Sequence, residues 1–323
     1  MFEGNVLQEA KLHQLDNFLP PENFRSFFFT TKDKIKIRVA IWNEQSKKGT
    51  IVLQSGRGEF IEKYYEVVED LIKLDFCVAM FDWRGQGLSD RLTSNHYVGY
   101  VKSFEDYEND LLEILDKVYR ELPKPWIGMG HSMGGCLMAL TCSNNPGLFD
   151  KLILCAPMLS LRIPNVLKRL VLLVGSISPD SFKKKALPNP TGKSNEGWEQ
   201  ANFEDNVVTT DKNRYDRATS LIYKNKELAI GPVSIAWSYE AIRITNNMRK
   251  KEFPNTIDVP VLLLNATKDK LVNPTINKEI CQKMTNSTVV DIDSEHEILM
   301  EKDTYRNQAL KAVSYTHLRA HET

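Results

Sequence analysis

Short runs of apolar residues recur along the chain, and helical patterns separate them. Five runs are continuously apolar, as expected of strands that are covered on both faces: residues 51–53, 76–81, 126–129, 152–156 and 261–264. A weaker run follows at residues 288–292. Residues 61–74 and 103–121 have helical spacing, the latter after a Ser103-x-x-Asp106 capping signal. Strands that alternate with helices predict a parallel sheet with helices on both faces.

Two further strands are predicted before these runs, at residues 25–30 and 34–42. In the second, Ile35, Ile37, Val39 and Ile41 alternate with polar or small residues, which is typical of a half-exposed antiparallel hairpin. The predicted fold class is therefore α/β. We expect an eight-stranded mostly parallel sheet with helices on both faces, in which the first pair of strands is antiparallel.

The alternation stops between Ala156 and Val261. This segment is rich in Lys, Asn and Pro, and it contains two apolar stretches with helical spacing, residues 165–174 and 233–242. Such a segment predicts an inserted helical cap that covers the sheet.

These patterns divide the chain into a core, a cap and a tail. The core is predicted in two parts, at residues 24–158 and 237–313, on either side of a helical cap insertion at residues 159–236. Residues 314–323 continue no periodic pattern, and we interpret them as a non-native tail.

Composition excludes some classes of partner. Lys plus Arg and Asp plus Glu both total 42, so no net field would draw the chain to nucleic acid or to an anionic membrane. The five cysteines have no C-x-x-C spacing and favour a reducing compartment. The amino terminus lacks the pattern of a secretory signal, and the longest uncharged apolar stretch, residues 170–177, is shorter than the roughly 20 residues that span a bilayer. We expect a cytoplasmic protein.

A candidate nucleophile lies between a strand and a helix. Gly130, His131, Ser132, Met133 and Gly134 form a G-x-S-x-G sequence directly after the strand at 126–129 and before a helical stretch at 135–143. Glycines allow the sharp turn that raises the serine hydroxyl above the sheet, beside the positive end of the helix. A dinucleotide-binding fingerprint does not fit, because Met133 stands where its third glycine would be.

A serine at its ordinary pKa needs a base, and His296 is the one that fits. His317 and His321 lie in the predicted tail, His13 precedes the sheet, His96 lies in an early polar loop, and His131 neighbours the serine in a turn that points it elsewhere. His296 follows the last strand, in a loop that leads to the carboxyl edge of the sheet.

The acid that orients the imidazole is predicted to be Asp269. It comes just after the strand at 261–264 and lies between Ser132 and His296 in the chain. Asp258 precedes that strand and would lie at the wrong edge, whereas Asp291 and Asp293 are left as alternatives.

An oxyanion hole needs two backbone N–H donors. The residue after the nucleophile, Met133, supplies one. The loop after the third strand, residues 54–59, contains glycines that let its backbone approach a substrate, and we assign the second donor to Arg57. This chemistry requires no metal and no organic cofactor.

Several segments carry a family resemblance: residues 55–59 (SGRGE), 81–90 (FDWRGQGLSD), 130–135 (GHSMGG), 269–272 (DKLV) and 296–301 (HEILME). Together they resemble the α/β-hydrolase superfamily, and within it the bacterial lysophospholipase and monoacylglycerol lipase group, over most of the chain. The second segment is the more diagnostic, and we interpret it as a structural turn after the fourth strand. One departure is Ser55, where many monoacylglycerol lipases have histidine.

The resemblance implies an enzyme that hydrolyses the carboxylic ester of a single-chain lipid, a lysophospholipid or monoacylglycerol, through an acyl-serine intermediate. A carboxylesterase, thioesterase or aminopeptidase with a non-lipid substrate would use the same residues. A non-catalytic binding protein with this fold is the alternative from another class.

The predicted cap offers one physical clue to the substrate. Apolar residues recur there at helical spacing, with Arg162, Lys168 and Arg169 beside them: Ile163, Val166, Leu167, Leu170, Val171 and Val174. Packing within the protein and peripheral contact with the inner face of a membrane are both consistent with this stripe, and the two interpretations stay open at this point.

Overall fold

The computed structural model describes residues 8–187, 202–250 and 252–314. Within them lie nine strands: β1 (Gln8–Glu9), β2 (Phe24–Thr30), β3 (Lys36–Trp42), β4 (Thr50–Gln54), β5 (Cys77–Phe81), β6 (Trp126–His131), β7 (Lys151–Cys155), β8 (Val261–Ala266) and β9 (Ser287–Ile292). All belong to one sheet, in the order β1-β2-β3-β5-β4-β6-β7-β8-β9.

The sheet has an antiparallel edge and a parallel body. β1 pairs antiparallel with β2, β2 with β3, and β3 with β5. From β5 through β4 to β9 all neighbours are parallel. The predicted α/β class with a mostly parallel sheet is confirmed. The predicted count of eight strands omits β1, a strand of 2 residues whose exposed side chains leave no periodic pattern.

Nine α-helices lie in the same described residues: α1 (Tyr65–Lys73), α2 (Phe104–Lys117), α3 (Met133–Asn144), α4 (Asn165–Ile177), α5 (Asp180–Lys183), α6 (Lys212–Lys224), α7 (Ile235–Met248), α8 (Pro274–Cys281) and α9 (Asp303–Ala312). Apolar residues of α1 and α9 pack against one face of the sheet, and those of α2, α3 and α8 against the other. In β3, Val39 and Ile41 pack on the face that α2, α3 and α8 cover, and Ala40 and Trp42 pack on the face that α1 and α9 cover. The sheet is thus covered on both faces, as predicted.

Local signals set where two of these helices begin. The side chain of Ser103 accepts a hydrogen bond from Glu105 N–H, and the backbone N–H of Ser103 donates to the carboxylate of Asp106, which is the predicted capping box. Asn273 caps α8 through hydrogen bonds from Thr275 and Ile276 N–H, and proline occupies the first helical position.

The second strand of the hairpin is more deeply buried than its alternation predicts. Every residue of β3 except Lys36 is buried, because β5 pairs with the strand and helices cover both of its faces. Arg38 has no exposed surface, and its guanidinium pairs with Glu62 at 2.6 Å and with Asp82 at 2.7 Å. The prediction of a half-exposed hairpin is wrong for this strand, since ion pairs allow the polar residue to be buried.

Helices α4, α5 and α6 fall within the predicted cap at residues 159–236. Helix α7, however, continues without a break from Ile235 to Met248 and packs against both α4 and α2. The predicted boundary between residues 236 and 237 therefore falls inside one helix. Residues 188–201 of the predicted cap, and all but Ser314 of the predicted tail, lie outside the described residues. The division into core and cap stays a prediction.

Candidate active site

Ser132 is the single residue between β6 and α3. Its backbone has φ 50° and ψ −115°, in a region that residues with a side chain rarely adopt. Its N–H donates to the carbonyl of Cys155 at 3.0 Å, which ties the turn to β7. The serine side chain therefore stands at the carboxyl edge of the sheet, at the N-terminus of α3.

Glycine is required on both sides of this turn. A Cβ at Gly130 would lie 2.6 Å from the backbone carbon of Gly134, and a Cβ at Gly134 would lie 2.5 Å from the carbonyl oxygen of Gln54. Strand and helix approach each other so closely that no side chain fits between them. The predicted glycines of the turn are thus placed against each other and against the end of β4.

Ser132, His296 and Asp269 lie in hydrogen-bonding sequence. His296 Nε2 is 2.9 Å from Ser132 Oγ, and His296 Nδ1 is 2.5 Å from Asp269 Oδ2. The other carboxylate oxygen of Asp269 accepts from the N–H groups of Leu271 and Val272 at 2.7 and 2.9 Å. These bonds fix the carboxylate on the loop after β8, while His296 reaches it from the loop after β9.

The alternatives weighed from the sequence lie elsewhere. Asp291 pairs with Lys278, and Asp293 pairs with Lys268, both at the surface. Among the other histidines, His13 contacts Glu227, and His96 stacks on Tyr97. The geometry therefore favours Asp269 and His296 as the partners of Ser132.

The loop after β4 contains the second predicted oxyanion donor. Gly56 N–H donates to Glu59 Oε2 at 2.5 Å, and Gly58 N–H donates to Gln86 Oε1 at 3.2 Å. The N–H of Arg57, which lies between them, meets no acceptor among the described residues, and neither does that of Met133. A Cβ built on Gly56 would lie 3.1 Å from Ser132 Cβ, so this loop passes beside the nucleophile.

The segment at residues 81–90 does more than turn the chain, because it holds the loop after β4 in place. Trp83 Nε1 donates to the carbonyl of Ser55 at 3.0 Å, and Gln86 Nε2 donates to those of Gly56 and Glu59 at 2.9 and 3.2 Å. The sequence analysis missed this function. Its signal is a tryptophan and a glutamine, both with N–H donors, in a turn that directly follows a buried strand.

A second group that sequence reasoning missed is a set of buried charges under the candidate site. Lys63 Nζ lies 2.9 Å from Glu59 and 2.6 Å from Glu297. Burial favours the neutral acid at Glu59, but the charge of Lys63 and the hydrogen bonds that the carboxylate accepts from Lys63 and Tyr64, with smaller contributions, together outweigh burial and lower the pKa of Glu59 to about 2. The ionised Glu59 anchors Gly56 N–H and accepts from Tyr64 Oη at 2.7 Å, which stiffens the loop beside Ser132.

His131 lies next to His296, with 4.8 Å between the ring centroids. Burial lowers the pKa of His131 from 6.5 to about 4, and neighbouring His296 lowers it further, although Glu59 opposes the shift. Its Nδ1 lies 3.2 Å from the carbonyl of Cys155. His131 is therefore neutral at neutral pH and adds no positive charge beside His296.

A cleft of about 410 Å³ opens above Ser132. This volume lies in the range typical of small-molecule sites. Apolar side chains supply much of its lining, many of them from the predicted cap: Met158, Leu161, Ile163, Val208, Ala218, Ile222, Val233, Trp237, Leu271 and Val272. In the part of the chain that the structure describes, no group of three or more His, Cys, Asp or Glu side chains is arranged to hold a metal ion.

The apolar residues predicted in the cap lie partly on a buried face and partly on an exposed face of α4. Val171 and Gly175 are buried, and Gly175 packs against Tyr239 of α7. The opposite face is exposed, with Val166 80%, Leu170 54%, Leu173 58% and Ile177 74% accessible. Across residues 8–187, 202–250 and 252–314, no helix combines the length and apolar character that crossing a bilayer would demand.

Comparison with protein families finds one model over most of the chain. The family described as "Serine aminopeptidase, S33" matches residues 45–303, which include every residue of the candidate site.

Two curated bacterial proteins are similar along their length. Lysophospholipase L2 of Escherichia coli K12 is 30% identical over 298 residues, 88% of this chain and 85% of that protein. The probable lysophospholipase L2 of Haemophilus influenzae is 26% identical over 96% of this chain and 98% of its own length.

Among solved structures, a soluble variant of monoglyceride lipase from Saccharomyces cerevisiae, in complex with a substrate analog, superposes with a TM-score of 0.68. The match covers 93% of this chain and 96% of that chain, at 16% identity. A monoacylglycerol lipase of Paleococcus ferrophilus has a TM-score of 0.64 at 19% identity, with 90% and 96% covered. At such identities the likeness shows the fold.

Proposed function

Because this chain belongs to the serine aminopeptidase S33 family and is a carboxylic ester hydrolase, we propose that it cleaves the ester of a single-chain lipid through an acyl intermediate on Ser132. The substrate class is a lysophospholipid or a monoacylglycerol. The observation that carries the proposal is the hydrogen-bonded sequence of Ser132, His296 and Asp269 at the floor of a largely apolar cleft. Relatives named lysophospholipase and monoglyceride lipase support the choice of substrate.

In the first step, Ser132 Oγ attacks the ester carbonyl carbon while its proton passes to His296 Nε2, 2.9 Å away. Asp269 accepts the Nδ1–H hydrogen bond, holds the ring in the tautomer that can take this proton, and stabilises the imidazolium that forms. When the tetrahedral intermediate collapses, the C–O bond to the glycerol breaks and His296 protonates the departing oxygen.

Negative charge develops on the carbonyl oxygen during this step. The N–H groups of Met133 and Arg57 are the donors for it, since neither meets an acceptor among the described residues. Removing one such donor typically costs about a hundredfold or more in rate. Gln86 and Glu59, which hold the neighbouring N–H groups of the loop, act as positioning residues.

In the second step, water attacks the acyl-serine, with His296 again as the base. The Oγ–acyl bond breaks, the fatty acid leaves, and the proton returns to Ser132. The apolar lining of the cleft, much of it from the predicted cap, accommodates the acyl chain through hydrophobic contact.

The test measures fatty acid released from lysophosphatidylcholine, monoacylglycerol and a short p-nitrophenyl ester, and compares the wild type with Ser132→Ala. We expect turnover that prefers the long-chain lipids, a loss of roughly 10⁴-fold or more in Ser132→Ala, and a trapped acyl adduct on Ser132 by mass spectrometry. Turnover of the short ester alone would remove the lipid substrate from the proposal, and turnover that survives Ser132→Ala would remove the nucleophile.

The exposed face of α4 supports a second, separate part of the proposal, which is peripheral contact with a membrane surface. Val166, Leu170, Leu173 and Ile177 lie on this face, and Lys168 and Arg169 adjoin it. An apolar helix face flanked by basic residues is suited to lie in the interface of an anionic membrane. Ile163 lines the cleft two residues before α4 begins, so such contact would bring the cleft mouth to the lipid.

Flotation with vesicles of phosphatidylglycerol and phosphatidylcholine tests this contact. Replacing Val166 and Leu170 together by serine should weaken partition into vesicles by about thirtyfold, because each apolar side chain contributes roughly 1 kcal/mol on burial. Tyr223→Ser, at a residue of α6 that is 71% exposed, is the matched control and should leave partition unchanged. Equal partition of both variants and the wild type would contradict the contact.

A further inference from the structure

The side chain of Arg57 is a cation in the cleft that no carboxylate of the described residues neutralises. Its Nη2 donates to the carbonyl of Gly231, and its guanidinium lies 5.4 Å from the ring of Trp237. Its Nε is inaccessible to solvent and has no hydrogen-bond partner among the described residues. A buried donor without an acceptor is unusual and unfavourable in a folded protein.

The other basic residues around the cleft are differently placed. Lys63 is held between Glu59 and Glu297, Arg214 contacts Glu66, Asp211 and Asp303, and Lys270 pairs with Glu295. Arg162, which also lines the cleft, is exposed to solvent. Arg57 is therefore the cation whose charge is both enclosed by protein and unmatched by a described carboxylate.

Its position is set by close packing. A Cβ on Gly99 would lie 2.8 Å from Arg57 Nη2 and 3.3 Å from Nε, so the guanidinium rests directly on the bare backbone of that glycine. Burial lowers the pKa of Arg57 to about 10, so the group keeps its charge at neutral pH. Trp237 Nε1 is a second buried donor without a described acceptor beside the same guanidinium.

The separation between the Arg57 guanidinium and Ser132 fits the separation between the phosphate and the ester of a lysophospholipid. Gly56, the residue before Arg57, packs beside Ser132, and the side chain of Arg57 extends from this loop toward Gly231 and Trp237. An extended arginine side chain and the glycerol segment between an ester carbonyl and a phosphate are of comparable length, each roughly 6–7 Å. A phosphate can therefore meet the guanidinium while the ester meets Ser132.

We propose that the Arg57 side chain binds the phosphate of a lysophospholipid headgroup and selects this substrate over a neutral monoacylglycerol. The inference rests on the proposed function and narrows its substrate. Guanidinium groups recognise phosphate through paired charge-assisted hydrogen bonds, and a phosphate supplies the negative charge that no described carboxylate supplies to Arg57.

The test compares kcat/KM for lysophosphatidylcholine and for a monoacylglycerol of the same acyl chain, in the wild type and in Arg57→Met. The ratio of the two values should fall by about ten- to hundredfold, as expected when a hydrogen-bonded charge pair is lost. A disturbance of the backbone N–H of residue 57 would lower both values alike and cancel in the ratio. Arg57→Lys, which keeps the charge but not the paired donors, should give a smaller fall.

Lys270→Met is the matched control, because it also removes a positive charge from the cleft lining. Its ratio should stay within about twofold of the wild type. A fall in Lys270→Met as large as that in Arg57→Met, or an unchanged ratio in Arg57→Met, overturns the inference.

Binding of glycerophosphocholine to the Ser132→Ala protein, measured by calorimetry, separates this inference from the proposed function. Adding Arg57→Met should weaken that binding by about tenfold or more. If the wild type releases no fatty acid from either lipid, the proposed function fails, and this binding still decides whether Arg57 holds the phosphate. Equal binding with and without Arg57 overturns the inference even if both lipids are hydrolysed.

Discussion

Two arginines in this molecule, one fully buried and one partly buried, have opposite surroundings. Arg38 lies in the middle of β3 and is enclosed by Glu62 and Asp82, which supply more negative charge than the guanidinium needs. Arg57 lies in the cleft beside Ser132 with a carbonyl, an aromatic ring and an unpaired Nε. Carboxylates of the chain itself neutralise the charge of Arg38, whereas no described carboxylate neutralises the charge of Arg57.

The largest difference is expected in stability. Arg38→Met leaves Glu62 and Asp82 buried and adjacent without their cation, and the free energy of unfolding should fall by about 3–5 kcal/mol. Chemical denaturation measures it. Arg120→Met, at a residue whose pair with Asp116 is exposed, is the control and should change stability by less than about 0.5 kcal/mol. If both substitutions cost the same, the pairing around Arg38 contributes nothing specific.

The cluster of Arg38, Glu62 and Asp82 could not be predicted from the sequence, in contrast to the candidate active site. The order of strands and loops was enough to bring Ser132, Asp269 and His296 to one edge of the sheet, because parallel strands share their carboxyl ends. Nothing local in the sequence relates Arg38 to Glu62 and Asp82, which are far apart in the chain and meet only through tertiary packing. The same holds for Gln86 and the loop that it supports. The missing strand β1 and the unbroken helix α7 likewise depend on neighbours distant in sequence.

A histidine in the cleft extends the comparison, because it can respond to burial by losing its charge. The folded protein holds the pKa of His131 near 4, below its ordinary value of 6.5. Between these values the unfolded chain binds a proton that the folded chain does not, so stability falls as the pH drops from about 6.5 to about 4. The full shift corresponds to at most about 3 kcal/mol.

Denaturation midpoints at pH 7 and pH 4.5 should therefore differ more for the wild type than for His131→Gln. Comparing the change in midpoint between the two proteins isolates the contribution of His131 from that of the carboxylates that also titrate in this range. An equal change in midpoint in both proteins would show that this histidine gains a proton as readily when folded as when unfolded.

Gln86 allows the contribution of buried hydrogen bonds to be measured at a residue that carries no charge. Its side chain is buried and makes three hydrogen bonds to the backbone of the loop that carries Arg57. Gln86→Leu leaves those backbone groups unpaired, and we expect a loss of about 2 kcal/mol in stability together with a fall of about tenfold or more in kcat, because the loop shifts beside Ser132. Gln308→Leu, at an exposed glutamine of α9, should change neither. An unaltered kcat in Gln86→Leu would mean that the loop keeps its geometry without this support.

The smallest change is expected at Arg57 itself. Arg57→Met removes a buried charge that no described carboxylate neutralises, so the desolvation that is relieved offsets the lost contacts with Gly231 and Trp237. The free energy of unfolding should stay within about 1 kcal/mol of the wild type, in contrast to Arg38→Met. A loss as large as that of Arg38→Met would show that the fold depends on both guanidinium groups alike, and the distinction between a structural and a ligand-ready arginine would disappear. A near-neutral result means instead that Arg57 is retained at this position for something other than stability, since burying its charge brings the folded chain no gain.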